Sequence, residues 1–187
     1  MQKRLLLDST HFEITIKRLC CQLIECHDNF SDSVIIGLQP RGIFLARRIH
    51  KHLKELNANA NILIGELDVT FYRDDFRRRE IISASQTRID FSIEDKKVIL
   101  IDDVLFTGRT IRSGMDAMLD IGRPSKVELM VLVNRRYSRH LPIEPDYIGI
   151  QVDTIRSEKV KVHWKDTDGE DGVWLLRNEN EMNVPEK

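Results

Sequence analysis

The sequence predicts an α/β protein with a mainly parallel sheet flanked by helices, and three observations support this fold class. Strand-like and helix-like segments alternate along most of the 187 residues. Apolar runs such as residues 98–101 and 127–133 indicate buried strands. The junction at residues 98–110 runs from strand through a polar loop into a helix, at the edge where open α/β sheets bind ligands.

The N-terminal half contributes two predicted helices and two predicted strands. The first helix covers residues 9–26, with Thr10 as a candidate cap and an apolar stripe of Phe12, Ile16, Leu19 and Leu23. A strand at 34–36, a helix at 43–56 and a strand from 62 to 69 follow.

The C-terminal half continues the alternation. After the strand at 98–101, a helix is predicted with Ile111, Met115, Met118 and Leu119 on one apolar face. Further strands are expected at 127–133, 147–152 and around 160–162. Since no linker, repeat or low-complexity tract divides the chain, residues 1–187 are expected to form a single domain.

Composition excludes several classes of protein and leaves an ordinary globular one. The formal net charge is −1, which gives no overall argument for nucleic acid or a membrane surface. No apolar stretch is long enough to span a bilayer, and no signal peptide is evident. The three cysteines, Cys20, Cys21 and Cys26, share one helical segment and suggest neither a disulfide framework nor a metal site. A reducing, cytoplasmic location is expected.

The loop after the strand at 98–101 has the chemistry of a sugar-phosphate site. Gly108 permits positive φ, and the first amides of the following helix lack internal partners and attract anions. Thr107 and Thr110 add hydroxyl donors, and Thr110 can also cap the helix. Asp102 and Asp103 only accept hydrogen bonds when ionised, so they suit a neighbouring diol or Mg²⁺, directly or through water. The alternative, a turn in which the carboxylates cap backbone amides, leaves most of this ordered set unexplained.

Two further segments carry candidate functional residues. Residues 37–42 (Gly-Leu-Gln-Pro-Arg-Gly) again join a strand to a helix, and Pro40 lowers the cost of a cis Gln39–Pro40 peptide. Residues 72–93 form a long polar stretch, which suggests a flexible functional loop. It contains Arg73, Asp74 and Asp75, the triplet Arg77, Arg78 and Arg79, and Ser83, Ser85 and Thr87.

The chain resembles type I phosphoribosyltransferases, and in particular the family of bifunctional pyrimidine operon regulators and uracil phosphoribosyltransferases. The resemblance lies in residues 98–110, which match the phosphoribosyl pyrophosphate signature, and in segments 37–46, 65–75, 112–117, 122–124, 141–149 and 157–160. It implies a type I phosphoribosyltransferase fold with a small hood from about residues 134–187 and the flexible loop closing over the site.

The resemblance also assigns roles. It implies Mg²⁺-dependent transfer of ribose 5-phosphate from phosphoribosyl pyrophosphate (PRPP) to uracil, giving UMP. Asp102, Asp103 and Arg73 would act in catalysis, with Arg73 stabilising the departing pyrophosphate and the two aspartates also binding the metal. The remaining expected contacts to PRPP come from the signature loop, Val104, Leu105, Phe106, Thr107, Gly108, Arg109 and Thr110, and from the pyrophosphate loop, Pro40, Arg41 and Gly42.

The base pocket and the regulatory partner are also inferred from the resemblance. The pocket maps to Arg135 and Val160, near Asn134, where the family has aspartate, and near an altered turn at 136–140. Phe106 also replaces a common tyrosine. Lys17 and Arg18 are candidates for binding pyrimidine-operon leader RNA, although Cys26 replaces a basic residue. A homodimer or higher homo-oligomer is expected. A regulator with little catalysis and a purine phosphoribosyltransferase remain the alternatives.

Overall fold

The computed structural model describes residues 2–74, 85–155 and 157–177. Its strands are β1 (Gln2–Leu7), β2 (Ser33–Leu38), β3 (Leu63–Leu67), β4 (Lys97–Leu105), β5 (Lys126–Arg136), β6 (Tyr147–Asp153), β7 (Glu158–His163) and β8 (Gly172–Arg177). Its α-helices are α1 (Ser9–His27), α2 (Gly42–Leu56), α3 (Arg109–Leu119) and the single turn α4 (Lys165–Asp168), and Thr70–Tyr72 form a short 3₁₀ helix.

Five strands form a parallel sheet in the order β3-β2-β4-β5-β6, which confirms the predicted fold class. Val98 of β4 is paired with Val34 of β2 on one side and with Val127 of β5 on the other. Both faces of this sheet are buried, because Ile35 and Ile36 belong to separate apolar clusters. One cluster includes the buried sides of α1 and α2, and the other includes α3.

The helix starts differ from the prediction in their capping. Asp8, not Thr10, caps α1, because its side chain accepts a hydrogen bond from the His11 amide at 2.8 Å. The helix α3 begins after Gly108 without any side-chain cap, so Thr110 does not cap it. A cap must precede the first turn, and Thr110 already lies within it.

The apolar face predicted for α3 is wrong in part. Ile111 and Met118 are buried as expected, but Met115 and Leu119 are 40% and 57% exposed. The helix instead packs on small residues, since a Cβ on Gly114 would lie 2.8 Å from a methyl carbon of Leu38. The backbone of α3 therefore lies close to the main sheet at Gly114, and this close packing takes the place of the contacts predicted for Met115 and Leu119.

A second, antiparallel sheet in the order β1-β8-β7 joins the two ends of the described chain. The strands β1 and β8 were not predicted from the sequence. Trp164, directly after β7, packs its ring against Phe12 of α1 at 5.3 Å and Phe44 of α2 at 5.9 Å. The small sheet is therefore anchored on the same apolar cluster as α1 and α2.

The ranges predicted for the hood and the flexible loop contain parts of both sheets. Residues 134–136 end β5 and residues 147–153 form β6, both in the main sheet, whereas β1, outside the predicted hood range, belongs to the small sheet. Within the expected flexible loop, Arg88 exchanges backbone hydrogen bonds with Glu66 at the edge of β3. Residues 75–84, which include the arginine triplet, lie outside the described residues.

Within the described ranges, no helix combines the length and apolar character needed to cross a membrane.

Candidate active site

A pocket of about 250 Å³ opens at the carboxyl end of β4. Its walls are formed by Arg73, Asp102, and the residues Val104, Leu105, Phe106, Thr107, Gly108, Arg109, Thr110 and Ile111. The whole predicted signature loop is therefore brought together with one of the acidic residues and with Arg73. This is the position at which parallel α/β sheets bind ligands.

The backbone of the signature loop suits an anion. Gly108 has φ of 88°, in the left-handed region, and precedes the first residue of α3. The amide of Arg109 donates to the Thr107 hydroxyl over a long distance of 3.5 Å. The start of α3 thus offers lightly engaged N–H groups and the positive end of a helix dipole to a phosphate.

Asp102 and Asp103 lie within β4 and are each 7% exposed. Successive residues of a strand point to opposite faces, so the two carboxylates diverge. Asp102 borders the pocket, whereas Asp103 accepts a hydrogen bond from Arg41 Nε at 2.9 Å. Burial, together with the charge of Asp103, raises the pKa of Asp102 well above its usual value, and burial also raises the pKa of Asp103.

The donor set around Asp102 fits Mg²⁺ better than a transition metal. Among the described residues, no cluster of three or more His, Cys, Asp or Glu side chains converges as a metal cage. Mg²⁺ is commonly held by one or two carboxylates, with substrate oxygens and water completing its shell. Asp102 supplies one such carboxylate beside the anion-binding loop, whereas Asp103 is paired with Arg41 and would have to leave that pair to contribute a second.

The residues predicted for the pyrophosphate loop, Pro40, Arg41 and Gly42, lie beside the acidic pair. The Gln39–Pro40 peptide is cis, the form whose cost Pro40 lowers. Arg41 bridges Asp103 and the carbonyl of Val162, thereby linking β4 to the small sheet. Gly42 sits against β4, because a Cβ at this position would lie 2.4 Å from the carbonyl oxygen of Ile101.

Arg73 enters the pocket from the segment that follows the 3₁₀ helix. Its Nη1 donates to the hydroxyl of Thr110 at 3.0 Å. The same segment is fastened to α3, since the hydroxyl of Tyr72 donates to Asp120 at 2.6 Å and Ser113 donates to the carbonyl of Tyr72. Arg109 forms an ion pair with Asp74.

The two residues predicted for the base pocket differ in their surroundings. Arg135 is buried, and its guanidinium donates to the Thr154 hydroxyl at 2.9 Å and to the Glu158 carbonyl at 2.8 Å. The guanidinium carbon also lies 3.9 Å from the ring centroid of Phe106, a cation–π contact that sequence reasoning missed. Val160 lies in the middle of β7 and is partly buried.

The side chains predicted to contact RNA are already engaged. Lys17 lies 3.5 Å from the carboxylate of Glu13, one turn earlier in α1. Arg18 donates to the carbonyls of Ile148 and Gly149 in β6. Lys17 is therefore paired within α1, whereas Arg18 is bound to β6.

The fold and the pocket together define a class of protein. The phosphoribosyl transferase domain family matches residues 4–167. A solved hypoxanthine phosphoribosyltransferase of Trypanosoma cruzi superposes with a TM-score of 0.69 at 17% identity, covering 94% of this chain and 97% of that one. A hypoxanthine phosphoribosyltransferase of Staphylococcus aureus gives 0.67 at 19% identity, covering 95% and 93%. At these identities the solved structures establish the shared fold.

Relatives at higher identity narrow the class. A protein of Desulfosudis oleivorans named Bifunctional protein PyrR is 47% identical over 175 residues, 92% of this chain and 96% of its own length. Proteins of the same name from Ligilactobacillus salivarius and Bacillus subtilis are 42% and 39% identical, covering 91% and 95% of this chain and 96% and 99% of their own lengths. The chain belongs to the phosphoribosyltransferase family and, within it, to the bifunctional PyrR proteins.

Proposed function

We propose that this protein transfers ribose 5-phosphate from PRPP to uracil, giving UMP and pyrophosphate. The observation that carries the proposal is a single pocket bordered by a buried carboxylate, Asp102, and by the uncapped start of α3. Phosphate and ribose hydroxyls need opposite chemistry, N–H donors for the first and acceptors for the second. The pocket supplies both side by side.

The parts of PRPP can be assigned to these groups. Its 5-phosphate would accept hydrogen bonds from the amides and hydroxyls of residues 107–110. Its ribose hydroxyls would donate to Asp102 and, after rearrangement of the pair with Arg41, to Asp103. Its pyrophosphate would lie toward the loop of Pro40, Arg41 and Gly42, with Arg73 at the edge of the pocket.

Mg²⁺ would be held by Asp102 and, directly or through water after rearrangement of its pair with Arg41, by Asp103, together with oxygens of the bound substrate, and it would neutralise pyrophosphate as that group leaves. The residues of the chain then contribute mainly orientation and electrostatic stabilisation. Arg73 would stabilise charge that develops on the departing pyrophosphate. No general base is assigned, because the uracil N1 proton needs only weak assistance.

The base pocket would lie beside the stacked pair of Arg135 and Phe106. Arg135 is fixed by Thr154 and Glu158, so its position does not depend on the ligand. The names of the relatives support a pyrimidine base over a purine, whereas the solved hypoxanthine enzymes bear on the fold alone.

The word bifunctional in the names of the relatives supports a second role in this protein. We propose that a homo-oligomer of this chain binds pyrimidine-operon leader RNA in the cytoplasm when UMP is bound. Since Lys17 and Arg18 are engaged within the chain, the RNA surface would have to draw on further cations or on rearrangement of these two.

A base panel tests the proposed reaction. Pyrophosphate release is measured with PRPP, Mg²⁺ and either uracil, hypoxanthine, guanine or orotate. We expect turnover with uracil alone. Activity with hypoxanthine or guanine but not uracil would identify a purine enzyme. Absence of turnover with every base, alongside UMP-dependent retention of leader RNA at moderate salt, would identify a regulator without catalysis.

A further inference from the structure

The turn after β5 contacts the signature loop at four successive residues. Arg139 donates from Nη1 to the carbonyl of Leu105 at 3.2 Å and also to the carbonyl of Phe106. The amides of His140 and Leu141 donate to the carbonyl of Thr107 at 3.0 and 3.3 Å. The side chain of Ile143 lies next to Gly108, since a Cβ on that glycine would be 3.2 Å from Ile143 Cδ1.

Arg139 also holds the turn itself together. Its Nε donates to the carbonyl of Ile143 at 3.0 Å, and Nη1, whose two N–H groups are shared among three carbonyls, also donates to the carbonyl of Arg135 at 3.0 Å. Its Nη2 donates to the side-chain oxygen of Asn134. One guanidinium therefore joins the end of β5, the turn and the signature loop through five acceptors, four of them backbone carbonyls.

The hydrogen-bond acceptors of the Arg139 guanidinium are all neutral oxygens. The negative charge of Glu144 acts on the guanidinium without being one of these acceptors. Burial lowers the pKa of Arg139, but a guanidinium remains protonated at any pH at which the protein folds. A partly desolvated positive charge behind a phosphate-binding loop adds to the attraction for an anion.

We propose that Arg139 is a positioning residue, which fixes the carbonyls of Leu105 and Phe106 and thereby holds the amides of residues 107–110 toward the phosphate of the donor substrate. The inference rests on the proposed function for the identity of that substrate. The sequence signals were Asn134 and the altered turn at residues 136–140. In the structure, Arg139 of this turn donates a hydrogen bond to the side chain of Asn134.

A planar fork is needed for this role. The guanidinium presents five N–H groups in fixed directions, so it can serve carbonyls on opposite sides at once. A lysine ammonium keeps the charge but concentrates its donors at one atom. Arg139→Lys therefore separates loss of geometry from loss of charge, and Arg139→Gln removes the charge while keeping a planar donor.

The experiment measures PRPP binding by calorimetry in the presence of Mg²⁺, and the KM values for PRPP and uracil, in both variants. Arg136→Ala is the matched control, because Arg136 ends β5 next to the turn but is exposed and pairs with Asp153 at 2.6 Å. We expect about a 10-fold weaker Kd and higher KM for PRPP in Arg139→Gln, and a smaller loss in Arg139→Lys. The KM for uracil should change much less, and the control should bind PRPP as the wild type does.

Asn134→Ala removes only one of the five hydrogen-bond acceptors of Arg139. This variant keeps the proposal testable if both Arg139 variants fail to fold. It should weaken PRPP binding about twofold to threefold. Folded variants with wild-type Kd for PRPP would overturn the proposal, as would a wild type that does not bind PRPP. If the wild type binds PRPP without turning over uracil, the proposed function fails while the role of Arg139 is still measured.

Discussion

Substitution of Tyr147 by phenylalanine tests the buried polar cluster between α1, β5 and β6. Tyr147 is 6% exposed, and its hydroxyl donates a hydrogen bond to Glu128 at 2.8 Å. The same carboxylate oxygen lies 2.9 Å from Nε2 of His27, and Lys126 contacts the other oxygen. Glu128 is thus a nearly buried charge held by three partners.

The expected loss of stability follows from the charge of the acceptor. A buried hydrogen bond to a charged group contributes about 1.5–3 kcal/mol to stability. Because His27 and Lys126 remain in Tyr147→Phe, the cost should fall toward the lower part of that range, about 2 kcal/mol. For a chain of this size, such a loss lowers Tm by roughly 4–8 °C.

Urea unfolding followed by circular dichroism, together with a thermal melt, measures this change in the free energy of unfolding. Tyr137→Phe is the matched control, since Tyr137 is 82% exposed and should change stability by less than about 0.5 kcal/mol. The reasoning is refuted if Tyr147→Phe is as stable as the control variant, because the hydroxyl would then carry no net free energy in the cluster.

Three further outcomes are expected. Burial lowers the pKa of His27 from 6.5, so below about pH 6.5 the unfolded chain binds protons more readily than the folded one and the free energy of unfolding should fall. In urea unfolding from pH 7.5 to 5.5, the free energy of unfolding should depend less on pH in His27→Gln than in the wild type. A wild-type stability that rises on acidification would contradict this. Asp102→Asn should lower kcat/KM for PRPP about 100-fold in the uracil assay, whereas near-normal kinetics would remove Asp102 from the mechanism. Gly42→Ala should cost about 1–3 kcal/mol of unfolding free energy, because its Cβ would lie 2.4 Å from the Ile101 carbonyl, and unchanged urea unfolding would show that α2 can shift without cost.

Local sequence predicted much of the main sheet because its signals are local. Continuous apolar runs mark β2, β4 and β5, and glycine with polar residues at 107–110 marks the start of α3. The cis peptide before Pro40 agrees with the lower cost of that form before proline, but the residue type alone did not decide the isomer. Boundaries were less accurate, since β3 ends at Leu67 and β4 continues through the acidic pair to Leu105.

The small sheet could not be predicted in the same way. Gln2–Leu7 pairs with Gly172–Arg177, near the opposite end of the chain, so neither strand has a local partner that would reveal it. The buried face of α3 was misjudged for a related reason. Periodicity indicated Met115 and Leu119, but packing against Leu38 selected the side with Gly114, where the backbones approach closely.

The sequence by itself determined the parallel α/β framework and the anion-binding junction at residues 98–110, because strand burial, glycine and helix start are encoded by neighbouring residues. Only the tertiary structure decided that Asp102 and Asp103 have different surroundings, Asp102 at the pocket and Asp103 paired with Arg41. It alone also brought the turn of Arg139 beneath the signature loop. These contacts join residues more than 30 positions apart, and their geometry depends on how the strands and loops pack.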